Sequence, residues 1–161
     1  MECPLGLISD PSRRFCSQCS PGQFVAEDLS CVTCPTGTYA PASLVDACLP
    51  CAVGFRTDLN TGATSCTACD SGKSRALSQS VDTCQVCAVG SYSGASADSC
   101  SKCVVGKFSD VEGSSECSDC GQGRFSNTTG STACSPCTVG KAQPASRQTN
   151  CVSCTAVCHL C

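Results

Sequence analysis

Hydrophobic residues along the chain do not recur at the three- and four-residue spacing of a helix over any useful length. Instead, glycines recur along the chain, and the short stretches on either side of each glycine are compatible with a two-residue alternation of apolar and polar positions. A run of small polar residues then follows. The run from Ser126 to Thr132, which reads SNTTGST, is one example. Such runs are typical of solvent-facing turns. The pattern therefore predicts short loops or irregular β-hairpins, with little regular secondary structure.

Cysteine pairs separated by two residues divide the chain into repeats, and successive pairs begin 15 to 18 residues apart. The pairs are Cys16/Cys19, Cys31/Cys34, Cys48/Cys51, Cys66/Cys69, Cys84/Cys87, Cys100/Cys103, Cys117/Cys120, Cys134/Cys137 and Cys151/Cys154. In almost every repeat a glycine follows three residues after the cysteine that opens the loop, as Gly37 follows Cys34. Two positions beyond this glycine an aromatic residue recurs, at Phe24, Tyr39, Tyr92, Phe108 and Phe125. Glycine supplies the positive φ of a tight turn, and one ring per repeat suits a thin stack of neighbouring units.

The composition cannot supply a large hydrophobic core. The 161 residues include no Trp, 5 Phe and 2 Tyr, whereas 21 are Cys. This cysteine content lies above the roughly 8–10% that marks a disulfide scaffold, and each bridge that closes a loop of about 15 residues contributes on the order of 3 kcal/mol. Disulfides persist in oxidising compartments, so we expect a secreted or cell-surface location.

Charge and hydropathy exclude two classes of partner. The formal net charge is −3, and the ten Lys and Arg residues are spread thinly. Nucleic acids and anionic membranes both attract a basic footprint, which this chain lacks. No stretch approaches the ~18 apolar residues of a membrane span, so we expect no direct membrane insertion. Met1 to Ile8 has neither the basic nor the apolar region of a signal peptide, which predicts a processed chain or part of a longer one.

The segment from Cys31 to Tyr39 reads CVTCPTGTY. It resembles the ephrin-receptor-like cysteine-rich repeat of extracellular proteins, and it is similar to the first half-module of tumour necrosis factor receptor repeats. The resemblance implies a small disulfide-rich fold, an elongated solenoid-like rod of tandem short loops or β-hairpins. It also implies that the second cysteine of each pair bonds the first cysteine of the next. The implied disulfides are Cys3/Cys16, Cys19/Cys31, Cys34/Cys48, Cys51/Cys66, Cys69/Cys84, Cys87/Cys100, Cys103/Cys117, Cys120/Cys134 and Cys137/Cys151.

The chain is predicted to be one tandem array over residues 1–161. Its nine repeats are roughly 3–16, 19–31, 34–48, 51–66, 69–84, 87–100, 103–117, 120–134 and 137–151, with a truncated unit at 154–161. If Cys154 bonds Cys158, Cys161 has no partner within the chain. The odd cysteine count then indicates a window of a longer protein; the alternative is a complete chain with one free or intermolecular thiol.

Few residues offer chemistry of their own. Cys-x-x-Cys pairs 11 to 14 residues apart also fit four-cysteine zinc sites, but the unbroken ladder and the recurrent glycine favour disulfides. The only histidine, His159, lies near the end of the chain, so no catalytic triad can be composed. Asp46, Asp82 and Asp98 each precede a cysteine by two residues, which predicts side-chain bonding to turn backbone rather than calcium binding. We therefore predict no catalytic residues, metal or cofactor.

Two function classes remain, and both are extracellular. The favoured one is a non-catalytic structural or scaffold module of a surface, matrix or filament-forming glycoprotein, which assembles with itself or with other extracellular proteins through repeated weak contacts. The alternative is the stalk or ligand-binding segment of a receptor ectodomain, which should show an irregular unit with exposed aromatic and Arg residues. Asn127-Thr128-Thr129 is an N-glycosylation sequon, so we expect an attached glycan at Asn127.

Overall fold

The structure is a computed structural model that describes residues 7–9, 16–43, 45–77 and 82–154. This part of the chain contains eighteen short β-strands and no helix. The strands are β1 (Ile8–Ser9), β2 (Cys16–Ser17), β3 (Gln23–Val25), β4 (Cys31–Thr33), β5 (Thr38–Tyr39), β6 (Leu49–Pro50), β7 (Phe55–Arg56), β8 (Thr67–Ala68), β9 (Lys73–Ser74), β10 (Gln85–Val86), β11 (Ser91–Tyr92), β12 (Ser101–Lys102), β13 (Lys107–Phe108), β14 (Ser118–Asp119), β15 (Arg124–Phe125), β16 (Ser135–Pro136), β17 (Lys141–Ala142) and β18 (Val152–Ser153).

Consecutive strands pair antiparallel into nine two-stranded hairpins within the described residues. The first strand of a hairpin follows a glycine turn, as in Ala52 to Phe55, where the Phe55 amide donates to the Ala52 carbonyl at 3.1 Å. The third residue of this turn, Gly54, has a φ of +74°, which a type II turn requires. The second strand runs between the two cysteines of a pair, and the amide of Cys69 then donates back to the Gly54 carbonyl at 2.8 Å. The predicted hairpins and glycine turns are confirmed.

Disulfides form the interior of these units. The described bridges are Cys19/Cys31, Cys34/Cys48, Cys51/Cys66, Cys69/Cys84, Cys87/Cys100, Cys103/Cys117, Cys120/Cys134 and Cys137/Cys151. This is the ladder pairing that the resemblance implies. The cysteine that opens each loop is generally fully buried, whereas the rings of Phe24, Tyr39 and Tyr92 are only half-buried. Cystine sulfur, rather than aromatic packing, therefore supplies most of the core.

Backbone hydrogen bonds join each repeat to the next. The amide of Gly90 donates to the carbonyl of Ser109 at 2.8 Å, and the amide of Gly106 donates to that of Ser126 at the same distance. Both acceptors lie three residues after the next turn glycine, and both are buried. Small residues suit this position because two repeats meet there.

Several turn glycines also lie against the repeat after the next one. A Cβ at Gly90 would collide with the carbonyl oxygen of Gly130, and Gly22 and Gly72 stand in the same relation to Gly62 and Gly113. Glycine is therefore required at these turns for two reasons, the positive φ and the close approach of another backbone segment.

The contacts group the chain into two compact units. Unit 1 comprises Met1–Cys69 and Arg75–Cys84, and unit 2 comprises Asp70–Ser74 and Gln85–Cys161. Among the described residues, unit 1 has two arginines and five carboxylates, a balance of −3. Unit 2 has six Lys and Arg and six carboxylates, and its balance is zero. The negative charge of the described chain is thus carried by unit 1.

Candidate interaction surface

Exposed valines recur at the tips of the glycine turns. Val53, Val89, Val105 and Val139 each precede the turn glycine and occupy its outward-facing second position, where all four are exposed. Val139 is fully exposed. Val53, Val89 and Val105 are 40–42% exposed, so part of each apolar side chain faces solvent, and a series of them is a candidate contact surface. These valines lie outside the pattern predicted from sequence, which comprised the glycine and aromatic positions only, although their recurrence before the glycine is visible in the sequence.

Three shallow grooves lie beside the repeat-fixed aromatic residues. The Tyr39 groove in unit 1 has a volume of about 310 Å³ and is lined by Tyr39, Pro50, Ala52, Phe55, Ser65 and Cys66. The Tyr92 groove in unit 2 has about 280 Å³ and is lined by Tyr92, Val104, Lys107, Glu116 and Cys117. The Phe125 groove in unit 2 has about 220 Å³ and is lined by Phe125, Pro136, Thr138, Lys141, Asn150 and Cys151.

The three grooves differ in charge. The Tyr39 groove has no charged side chain, and the Tyr92 groove combines a lysine with a carboxylate. Lys107 of the latter is already bound to Asp119, with 2.7 Å between Nζ and Oδ1. The Phe125 groove contains Lys141 and no carboxylate, and Lys141 is exposed and takes part in none of the ion pairs among described residues. It is therefore the groove with a cation available for a ligand.

Two exposed leucines occupy turn positions that normally suit glycine. Leu29 and Leu59 have φ values of +59° and +62°, and they are 54% and 56% exposed. In the β3–β4 hairpin the Leu29 amide donates to the Ala26 carbonyl, and the Ala26 amide donates to the Ser30 carbonyl, each at 2.9 Å. A left-handed residue that closes a hairpin turn in this way is usually Gly or Asn, because a Cβ is unfavourable there. A leucine at such a site is strained and gains no burial.

The two leucine turns differ in the state of their carboxylates. Asp58, before Leu59, is paired with the guanidinium of Arg56. Asp28, before Leu29, accepts hydrogen bonds from the hydroxyl and the amide of Ser30, at 2.6 and 3.0 Å. These two hydrogen bonds, the hydroxyl's first, hold the pKa of Asp28 below its ordinary value.

A buried ion pair makes the fifth repeat irregular. Arg75 occupies the position that small residues fill in the neighbouring repeats, and its side chain is 8% exposed. Its Nη2 atom lies 3.3 Å from Oδ1 of Asp82, which is 5% exposed. The other oxygen of Asp82 accepts hydrogen bonds from the amides of Thr57 and Leu59, at 2.9 and 3.3 Å, and from the Thr57 hydroxyl. Asp82 thereby holds the backbone of the strained Leu59 turn.

The pKa of Asp82 follows from two opposing effects. Burial raises it, but the hydrogen bonds from Thr57 and Leu59 and the charge of Arg75 outweigh burial and leave it below the ordinary value. Asp82 does bond backbone amides, although these belong to the preceding repeat rather than to its own turn. Asp98 instead accepts locally from the Ser99 hydroxyl at 3.0 Å, and Asp46 is exposed. The three aspartates that sequence spacing groups together thus have three different environments.

The remaining predicted sites are placed as follows. Asn127 is exposed, on a turn where the buried Ser126 hydroxyl donates to the Thr128 carbonyl at 3.2 Å. Cysteines joined in disulfides have no thiolate to offer zinc. Cys16 and Cys154 are also disulfide-bonded. Cys3, Cys158, His159 and Cys161 lie outside the described residues.

Neither a metal site nor a membrane-spanning helix is present among the described residues. No group of three or more His, Cys, Asp or Glu side chains there is arranged to hold a metal ion. That part of the chain also has no helix that is long and apolar enough to cross a membrane.

Comparison with known proteins places these hairpins in a wider context. The family model described as "Tyrosine-protein kinase ephrin type A/B receptor-like" matches residues 22–69 and 90–133, which together are more than half of the chain. Thyroglobulin of Mus musculus is 44% identical over 73 residues. That match covers 43% of this chain but 3% of thyroglobulin, so the chain spans a small fraction of this relative.

Proposed function

Because the chain belongs to the ephrin type A/B receptor-like family of cysteine-rich extracellular modules, we propose that it is a non-catalytic scaffold segment of an extracellular glycoprotein. In this proposal copies of the chain assemble through repeated weak contacts, and the disulfide-closed repeats fix the spacing of the contacting side chains.

The observation that carries the proposal is the recurrence of exposed valines at one turn position in both units. Val53 lies in unit 1, and Val89, Val105 and Val139 lie in unit 2. Contacts that are individually weak add up when one chain presents several of them. The aromatic grooves, which also recur, offer apolar surfaces of matching character.

The receptor alternative requires an irregular unit with an exposed cluster of aromatic residues and arginine. The fifth repeat is irregular, but its Arg75 is buried against Asp82 and so is not available to a ligand. This placement supports the scaffold function over the receptor function.

Sedimentation velocity and electron microscopy of the oxidised chain test the proposal. We expect concentration-dependent association and fibres, sheets or coats with a repeating period. Reduction should dissolve them, because the loops lose the closure that holds the turns in place. A dispersed monomer that binds one soluble partner tightly through a few residues would instead establish the receptor function.

A further inference from the structure

Leu29 is an exposed apolar side chain of unit 1 that has a strained backbone conformation and lies next to negative charge that is in no ion pair among the described residues. It is 54% exposed at a φ of +59°, and it follows two exposed carboxylates, Glu27 and Asp28. None of the ion pairs among described residues involves either carboxylate. Strained residues of this kind persist where the surrounding structure fixes them, and they are concentrated at binding sites.

The hydrogen bonds of the turn fix this leucine rigidly. Both Ala26 bonds close the turn, and the Ser30 bonds hold the Asp28 carboxylate beside it. Leu29 is thus presented as a pre-organised apolar knob with acidic neighbours. A ligand-binding surface that fits it must offer an apolar concavity with a positive charge at its edge, because binding would otherwise desolvate the carboxylates without compensation.

The Phe125 groove of unit 2 has this chemistry. It combines the half-buried Phe125 ring and Pro136 with the exposed ammonium group of Lys141, and no carboxylate lines it. Its volume of about 220 Å³ can accept an aliphatic side chain. It is smaller than the pockets of roughly 300–1,000 Å³ that hold small-molecule ligands.

We infer that the Glu27-Asp28-Leu29 turn of one copy docks into the Phe125 groove of a second copy, with Leu29 against Phe125 and Pro136 and Glu27 paired with Lys141. The inference rests on the proposed self-assembly and names its contact. Charge complementarity favours this groove over the other two. The net charge of the described residues is −3 in unit 1 and zero in unit 2, which also favours a contact between unit 1 of one copy and unit 2 of another. Because the two surfaces differ, a pair of copies retains one free knob, on one copy, and one free groove, on the other, after a first contact. Heterologous contacts of this kind can extend into filaments.

The chain contains a matched control for the knob. Leu59 lies in the same unit with the same sign of φ and 56% exposure, but its neighbour Asp58 is already neutralised by Arg56. Leu29→Gly and Leu59→Gly therefore remove similar exposed apolar surface from residues with similar φ values. Glycine accepts a left-handed conformation without a Cβ penalty, so both variants should fold with unchanged disulfides.

The test is sedimentation velocity of the oxidised full chain over a range of concentrations at low salt. We expect Leu29→Gly and Lys141→Glu each to weaken association at least tenfold, and Leu59→Gly to leave it within twofold of the unsubstituted chain. The charge exchange Glu27→Lys with Lys141→Glu should restore association to within about threefold. An equimolar mixture of Leu29→Gly and Lys141→Glu chains should stop at a dimer, because each retains one intact surface.

The outcomes separate the inference from the function on which it rests. A monomeric unsubstituted chain at every concentration overturns both. If Leu29→Gly and Leu59→Gly weaken association equally, or if neither variant weakens it, the docking contact is wrong and the scaffold function still stands. Failure of the charge exchange to restore a loss caused by Lys141→Glu also overturns the pairing of Glu27 with Lys141.

Discussion

Substituting Asp82 with alanine tests whether the buried ion pair holds the fifth repeat in place. The change removes a carboxylate that is 5% exposed and leaves Arg75, 8% exposed, without its counter-charge. It also deprives the amides of Thr57 and Leu59 of their acceptor. We expect Asp82→Ala to destabilise this region strongly, since it leaves a buried charge unpaired, the buried Thr57 amide without an acceptor and the partly buried Leu59 amide without one.

The magnitude can be set from these contacts. Removing one partner of a buried pair costs about 3–5 kcal/mol. Because the loss is confined to the neighbourhood of the pair, native-state hydrogen exchange is the appropriate assay. The amide of Gly54, which donates to the Arg75 carbonyl at 2.8 Å, and that of Thr57 report on it. A loss of 3 kcal/mol speeds exchange on the order of a hundredfold, since every 1.4 kcal/mol is tenfold.

Two further variants serve as controls. Asp98→Ala removes an aspartate at the same distance from a cysteine, but Asp98 is exposed, so its effect should stay below about 0.5 kcal/mol. Arg75→Ser with Asp82→Ser removes both charges together, and serine already fills the position of Arg75 at Ser93 and Ser109. This double variant should recover much of the loss. If Asp82→Ala exchanges as slowly as Asp98→Ala, or if the double variant is as unstable as the single one, the ion pair does not have the proposed role.

Three other predictions concern the stability of the Asp82 region at acid pH, the substitution of turn glycines by alanine, and glycosylation at Asn127. The pKa of Asp82 is lower in the folded chain than its unfolded value near 3.9. The stability that Asp82 contributes is therefore complete above about pH 5, begins to fall below that, and is lost as the pH falls through the folded pKa, so exchange at Thr57, corrected for the intrinsic rate, should quicken only in that acid range. Gly123→Ala, at a φ of +73° with open space around the new Cβ, should cost about 1–2 kcal/mol, whereas Gly72→Ala should cost clearly more in the same exchange assay because its Cβ also meets backbone. Protein from its natural source should lose mass at Asn127 on treatment with an N-glycan-releasing enzyme, and an unmodified Asn127 would contradict this.

Local chemistry explains what could be predicted from sequence. The hairpins and the glycine turns depend on residues within one repeat, as the Ala52 to Phe55 turn shows, whereas the disulfide ladder was implied by the family resemblance. A glycine three residues after a cysteine is sufficient to indicate such a turn, because few other residues adopt its φ. The exposure of Asn127 follows in the same way from the small polar residues around it.

Contacts between repeats explain what could not be predicted. Asp82 bonds Thr57, 25 positions earlier, and nothing in the spacing of the aspartates distinguishes it from Asp46 or Asp98. The close approach of Gly90 to Gly130 likewise depends on how the repeats stack. The strain at Leu29 was missed for a different reason, since the sequence pattern marks turns by glycine and offers no signal when leucine takes the same conformation.

The disulfide core explains why apolar side chains can be exposed in this fold. In an ordinary domain of this length valines and leucines would be required inside, because burial of apolar area is the main stabilising term. Here loop closure by cystine takes over that role, and buried residues such as Cys34 and Cys120 are inaccessible to solvent. The fold of each repeat therefore does not depend on the burial of side chains such as Val139 and Leu29, which face outward. A chain whose fold does not need its apolar residues can use them for contacts with other molecules, which is the property that a repeating scaffold requires.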